Sequence, residues 1–422
     1  MTAADESTRA PAASPSPLDG AYAWWRAVVC LAIGTVGGIG IWATVVVLPA
    51  IQKDFGILRG EASLAFTATM IGFAFGGILM GRLTDRFDIR VPCWISAIAL
   101  GIGFAVASQA PSLPWFAACA LFIGFFGVSA TFAPLIADTS HWFLKRRGIA
   151  VAVVASGNYL AGTVWPPLLR PLIDAEGWRF TYLVIAGVCV LTILPLSLAL
   201  KRPPPFLAGH DGAAAAAPQV RGGQLSPRLL QVLLVIAGLS CCIAMSMPQV
   251  HIVAYCVDLG HGLARGAEML SLMLGFGVVS RIAFGALSDR FGGVATLLIS
   301  SSMQAAALLF YIPFDGLTSL YIVSALFGLA QGGIVPSYAI IVREYFAPQG
   351  AATRIGVIMM ATIVGMAVGG WMSGAIYDAT GSYLMAFLNG IAWNLVNMSI
   401  ALWLLLRGRG AKPDVSGRLA PA

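Results

Sequence analysis

The chain has 422 residues, of which 59% are hydrophobic and only 10% charged. Soluble domains carry about 25% charge, so a soluble enzyme is excluded as a reading of the whole chain. The net charge of +7, from 25 Lys and Arg against 18 Asp and Glu, would point to nucleic acid only if it were gathered on one surface.

Residues 1–22 are rich in Pro, Ser and Ala and are expected to form a disordered cytoplasmic N-terminus. They lack the short apolar run and small-residue cleavage site of a signal peptide. Twelve apolar stretches follow, at roughly 26–50, 62–82, 92–110, 114–138, 148–173, 180–200, 229–258, 268–288, 293–313, 317–342, 354–378 and 383–406. Each is near the ~20 residues that a helix needs to cross a bilayer, and about twice a barrel strand. The expected fold class is an all-α membrane protein with twelve transmembrane helices. It divides into an N-terminal six-helix bundle, 23–200, and a C-terminal one, 229–406. Residues 201–228, rich in Pro, Gly and Ala, read as a cytoplasmic linker, and 407–422 as a cytoplasmic tail.

The division into halves rests on a repeat. Ile78–Phe87 (ILMGRLTDRF) recurs as Ile282–Phe291 (IAFGALSDRF), 204 positions later. The same offset relates Asp174 to Asp378 and Gly177 to Gly381. Two equivalent halves can rock about a midplane site and expose it alternately. In the repeated segment, Asp85 and Asp289 with Arg86 and Arg290 are expected to act as a gating latch at the membrane edge, where a carboxylate can meet a helix N-terminus or a cation.

Lys and Arg set the orientation. With the N-terminus inside, nineteen fall on the cytoplasmic side and five opposite: Lys53, Arg59, Arg170, Arg179 and Arg265. The expected placement is a multi-pass protein of the cell (inner) membrane with both termini cytoplasmic. The seven cysteines lie in or beside spans with no CxxC pair, so they read as small buried residues. No metal site, cofactor, catalytic constellation, nucleic-acid partner or obligate protein partner is expected. HExxH, G-x-S-x-G and the P-loop are all absent from the sequence. The expected partners are a small organic substrate and the lipid bilayer. Gly-rich stretches inside spans, 34–40 and 365–374, read as close helix packing.

At these residues the chain resembles the major facilitator superfamily. Gly81–Arg90 (GRLTDRFDIR) is similar to its signature between helices 2 and 3, with Asp88 where Gly is usual. The resemblance implies a secondary transporter with helices 1, 4, 7 and 10 lining a central cavity. Asp19–Trp24 (DGAYAW) and Trp142–Arg147 (WFLKRR) resemble two motifs of the monocarboxylate transporter and oxalate/formate exchanger branch. Arg281, about 10 Å inside helix 8 at 1.5 Å per residue, matches that branch's helix-8 Arg, which binds substrate carboxylate. An intramembrane Arg is costly and marks a functional site by default, and its planar fork pairs both carboxylate oxygens. Its repeat mate is Gly77, so symmetry does not require a charge there.

Some of the branch's features are missing. Gly277 stands one turn before Arg281 where many animal members have an acid, and helix 1 near Ile41 and Trp42 has no Lys. Helix 11 also lacks the Lys of the oxalate exchangers. One fixed cation suits a monoanion. The expected function is therefore alternating-access transport of a small organic solute, a monocarboxylate foremost, as a proton symporter or by exchange. The alternative is uptake of a larger aromatic compound such as riboflavin, or efflux of a drug-like compound. Gln249, Gln331, Asn158, Tyr159 and Trp42 join Arg281 as candidate substrate-binding residues. Taken alone, each polar residue reads first as interhelical glue, and Trp42 as an interfacial anchor or lipid contact. His251 is a candidate proton carrier, with a hydrogen-bonded residue at the cavity mouth as the stronger reading. Coupling through the substrate's own carboxylate is the other route.

Overall fold

The computed structural model describes residues 18–143, 146–202, 226–346 and 351–410. The chain is helical throughout these segments. Eleven stretches among the described residues are long and apolar enough to cross a bilayer. In chain order these are Ala21–Phe55 (span 1), Arg59–Thr84 (2), Arg90–Ala107 (3), Leu113–Thr139 (4), Ile149–Leu198, Pro227–Asp258 (7), Gly262–Ser288 (8), Gly293–Phe310 (9), Leu317–Val342 (10), Arg354–Thr380 (11) and Leu384–Arg407 (12). The 50-residue stretch Ile149–Leu198 is two spans, 5 and 6. They meet at Gly177, whose φ of 80° and ψ of 169° no helix contains. Its repeat mate Gly381, with φ 68°, does the same between spans 11 and 12. Glycine reaches positive φ without the Cβ penalty, so the second lag match marks a tight turn between two spans in each half. Twelve spans result, as expected from the sequence.

The long linker and both tails fall largely outside the described residues. Where the linker ends, Ser226 caps span 7 by accepting from Leu229 N at 3.3 Å, with Pro227 at the first helical position.

Within each half the spans pack on one another, for example 3 on 6 and 7 on 11 and 12. The halves meet where span 2 lies against span 11 and span 5 against span 8. Small residues make the approach possible. A methyl on Gly374 of span 11 would stand 2.9 Å from the Gly60 Cα of span 2. A methyl on Gly365 or Gly369 would strike the span-7 backbone, at Leu239 O and Ile243 O. The Gly-rich stretch in span 11 is thus a packing face.

This closure is one-sided. Contacts between spans 2 and 11 run from Arg59 to Thr67 and from Ala367 to Asp378, at the end remote from the termini. Toward the termini, a methyl on Gly77, Gly81 or Gly356 meets no described atom within 4 Å. Among the described residues, the contacts that hold spans 2 and 11 together gather at the far end, which is shut. Gly374→Leu is therefore expected to wedge spans 2 and 11 apart at the far end. Cysteine labelling of far-end interface positions should rise several-fold, while the fold, read by size-exclusion profile, is kept.

Candidate functional site

Spans 1, 4, 5 and 10 do not run straight. Span 1 breaks at Gly38 between Ala21–Gly37 and Ile39–Phe55. Span 4 widens into a π-helical turn, Ile123–Val128, and tightens at Ser129–Thr131 before Phe132 leaves helical geometry. Span 5 breaks at Ser156 and span 10 at Gly332–Gly333. The breaks in spans 4 and 10 fall at repeat-matched positions. Broken helices at membrane depth free backbone groups where a site needs them.

One such carbonyl holds Arg281. Arg281 Nη1 donates to Ala155 O at 2.9 Å, at the break in span 5 of the opposite half. Its guanidinium lies over the Tyr159 ring, 3.9 Å from the centroid, a cation–π contact of about 0.5–2 kcal/mol. Arg281 Nε is buried with no hydrogen-bond partner among the described residues. The head group is thus pinned from one side, with Nε left as a buried donor without a partner.

The remaining candidates pair among themselves. A methyl on Gly277 would stand 3.2 Å from both the Tyr159 ring and Gln331 Nε2. Gln331 accepts from Gln249 Nε2 and donates to Met273 O at 3.4 Å. Gln249 Oε1 is buried with no partner among the described residues. Trp42 Nε1 donates to Asn158 O at 2.8 Å and Asn158 Oδ1 at 3.2 Å. The six residues make three contact pairs, Arg281–Tyr159, Gln249–Gln331 and Trp42–Asn158, drawn from spans 1, 5, 7, 8 and 10. Trp42 is buried, not interfacial. By contrast, Asn394 and Asn397 of span 12 donate to Ser301 O and Oγ of span 9 at 2.8 and 2.7 Å, which is helix glue.

Gly277 is the constriction between Tyr159 and Gln331. Gly277→Val is expected to fill that gap and raise KM for any substrate several-fold or more. Gly277→Ala should do less, because the neighbouring side chains need to give only a few tenths of an ångström. Uptake kinetics on both variants check this.

The expected latch in the repeated loops is only partly visible. The side chains of Asp85 and Asp289 lie outside the described residues. Arg86 and Arg290 each lie over the following ring, Phe87 and Phe291, at 5.6 Å in both copies. Asp88 binds its own Arg90 at 2.6 Å, while Gly292, its mate, adopts φ 83° beside Glu344, which accepts from Gly293 N at 3.0 Å.

Two clusters were missed in the sequence. At the far end, Arg59 of span 2 bonds Asp258 of span 7 through both nitrogens and donates to Tyr383 Oη at 3.1 Å. Asp378 accepts from Arg59 N and Gly60 N at 2.9 and 2.6 Å, capping span 2 from the other half. Its mate Asp174 instead binds Arg170 on its own helix. At the termini end, Arg26 and Asp138 form a buried bidentate pair, 2.8 Å on each arm. The two branch motifs close over this pair. Asp19 N donates to Trp142 O at 3.1 Å, Arg146 N donates to Asp19 Oδ1 at 3.1 Å, and Trp24 packs on Phe143. Lys145 and the side chain of Arg147 lie outside the described residues.

A family model described as Major Facilitator Superfamily matches residues 30–321 and 269–420. The chain belongs to the major facilitator superfamily. Its curated relatives include monocarboxylate transporter 13 of Bos taurus, 26% identical over 393 residues, covering 86% of this chain and 90% of that protein. They also include the agnestins efflux protein AgnL12 of Paecilomyces divaricatus, 24% identical over 379 residues, 89% of this transporter and 84% of the relative. Among solved structures, a bacterial homologue of the human lysosomal transporter Spinster, inward-facing and occupied, superposes with a TM-score of 0.70. It is 16% identical and covers 96% of this transporter and 100% of that chain. The likeness of fold covers 96% of the transporter.

Proposed function

We propose that the transporter carries a small monocarboxylate across the cell (inner) membrane by alternating access, coupled to protons or by exchange. The observation that carries this reading is Arg281. It is an intramembrane cation at the interface of the halves, oriented by Ala155 O and Tyr159 and with Nε unpartnered. A carboxylate placed there gains a charge-assisted bond to Nε and can displace Ala155 O to reach Nη1. The bond to Ala155 crosses from span 8 to span 5, so the same ligand would act on the contact that joins the halves. Gln249 and Gln331, fixed by each other, leave one free acceptor, Gln249 Oε1, for a second polar group of the substrate. Relatives named monocarboxylate transporters support the substrate class.

Both termini are placed in the cytoplasm on the Lys and Arg bias. The far end, shut by Arg59, is then the outer face. A second reading, export of a larger aromatic compound, draws on the Trp42 and Tyr159 rings and on a relative named as an efflux protein. Radiolabelled uptake into proteoliposomes, with a panel of monocarboxylates and riboflavin, tests both. Saturable uptake of a monocarboxylate is the expected result. Movement of riboflavin with no carboxylate moved would overturn the first reading.

A further inference from the structure

The far-end cluster has an origin in the repeat. Asp54 ends span 1 and Asp258 ends span 7, 204 positions apart. In the N-terminal half Asp54 is satisfied internally, by Arg179 at 2.9 Å and Trp178 Nε1 at 3.2 Å. The mate of Arg179 is Tyr383, which carries no charge. Asp258 therefore takes its cation from the opposite half, Arg59, whose own mate is the apolar Leu263. A pair that is internal in one half has become a bridge between halves in the other.

Behind the bridge stands a fully buried histidine. His251 of span 7 shares Nδ1 with Tyr383 Oη at 3.0 Å and Nε2 with Gly370 O of span 11 at 2.8 Å. A carbonyl only accepts, so Nε2 carries the proton, and Nδ1 accepts from the Tyr383 hydroxyl. The Tyr383 oxygen in turn accepts from Arg59 Nη1. Donation runs in one direction: Arg59 to Tyr383 to His251 to Gly370 O.

A second proton on His251 cannot enter this chain without reversing it. Nδ1 would then donate to Tyr383, whose own proton would lose its acceptor. A second cation would stand one hydroxyl away from Arg59. The other ionisable groups around His251 are Asp258 and Tyr255 on its own span, Asp378 and Tyr377 on span 11, and Tyr383 in the turn just before span 12. The two carboxylates are the groups that can receive a new cation as Arg59 withdraws. We propose that His251 is a proton-binding site that governs the far-side gate: neutral, it completes the hydrogen-bond chain that holds Arg59 across the halves, and protonated, it releases it. This rests on the alternating-access reading, and it adds a coupling residue remote from Arg281.

The test is distance measurement between spin labels on the purified full chain in nanodiscs, in a Cys119→Ala background. One pair, Lys53→Cys and Ser382→Cys, reports the far end. A second, Phe87→Cys and Phe291→Cys, reports the termini end. Between about pH 8 and about pH 4, spanning the usual histidine range and below it, the long-distance population at the far end is expected to rise several-fold. His251→Gln preserves the neutral pattern, with its amide donating to Gly370 O and its oxygen accepting from Tyr383. In that variant the far end should stay closed at both pH values. Tyr383→Phe, with His251 intact, cuts the connection between His251 and Arg59 while the Asp258 pair remains, so the pH response of the far end should be lost. An equal pH response in His251→Gln and wild type would overturn the proposal and leave alternating access standing. Labels that never move at either end, with substrate or pH, would overturn alternating access and the proposal with it.

Discussion

Arg281→Gln is expected to lower monocarboxylate uptake, measured as kcat/KM, by about 30- to 1000-fold. Truncating one partner of a desolvated, hydrogen-bonded charge pair costs roughly 2–4 kcal/mol, and each 1.4 kcal/mol is about tenfold. Gln keeps some polarity and length but loses the charge and the fork. Arg281→Lys should fall between, since it keeps the charge and loses the paired geometry. The fold should survive, because Arg281 is half-buried and, among the described residues, makes one hydrogen bond, to Ala155 O, plus a ring contact with Tyr159. Thermal stability in detergent should therefore change little while uptake collapses. If Arg281→Gln transports a monocarboxylate at wild-type rate, the carboxylate anchor is elsewhere. Tyr159→Leu separates positioning from anchoring. It removes the ring under the guanidinium, and a several-fold rise in KM with intact kcat is expected.

Asp138→Val is expected to destabilise the transporter by about 3–5 kcal/mol, the cost of leaving a buried partner uncompensated. Arg26 is 1% exposed and Asp138 4%, so water cannot replace the lost carboxylate. Arg26 Nη1 also donates to Leu200 O and Arg202 O at 3.2 and 3.1 Å, and Trp142 covers the head group at 4.9 Å. These contacts leave the charge in place without neutralising it. The repeat shows the remedy. The mates of Arg26 and Asp138 are Leu230 and Val342, both buried in the C-terminal half. Replacing a buried ion pair by well-packed apolar residues is often neutral or better. The double variant Arg26→Leu with Asp138→Val should recover most of the loss in a thermal-shift series. Failure to recover would mean that the hold on Leu200 and Arg202, at the entrance to the linker, is the main service of Arg26.

Both expectations show where sequence reading reached its limit. Arg26 counts as a cytoplasmic-edge charge when one counts residues, yet helix begins at Ala21 and carries it inside. Nothing within the first span names Asp138 as its partner, 112 positions away. The repeat carried the missing signal: a charge whose mate is apolar must find its partner some other way. Arg26 and Arg59 both meet that condition, as Arg281 does.

The amino-acid sequence by itself determined the class, the twelve spans, the two halves and the candidate residues. These depend on local apolar length, on one repeated lag and on how few charges a bilayer tolerates, all of which are properties of the chain alone. Tertiary structure decided which charge meets which. It also decided that Gly38, Ser156 and Gly332–Gly333 interrupt helices, and that Ala155 O faces Arg281. It closed the far end. Those outcomes turn on the register between helices from opposite halves, where differences of a few ångströms select the partner, and no local pattern in the chain encodes that register.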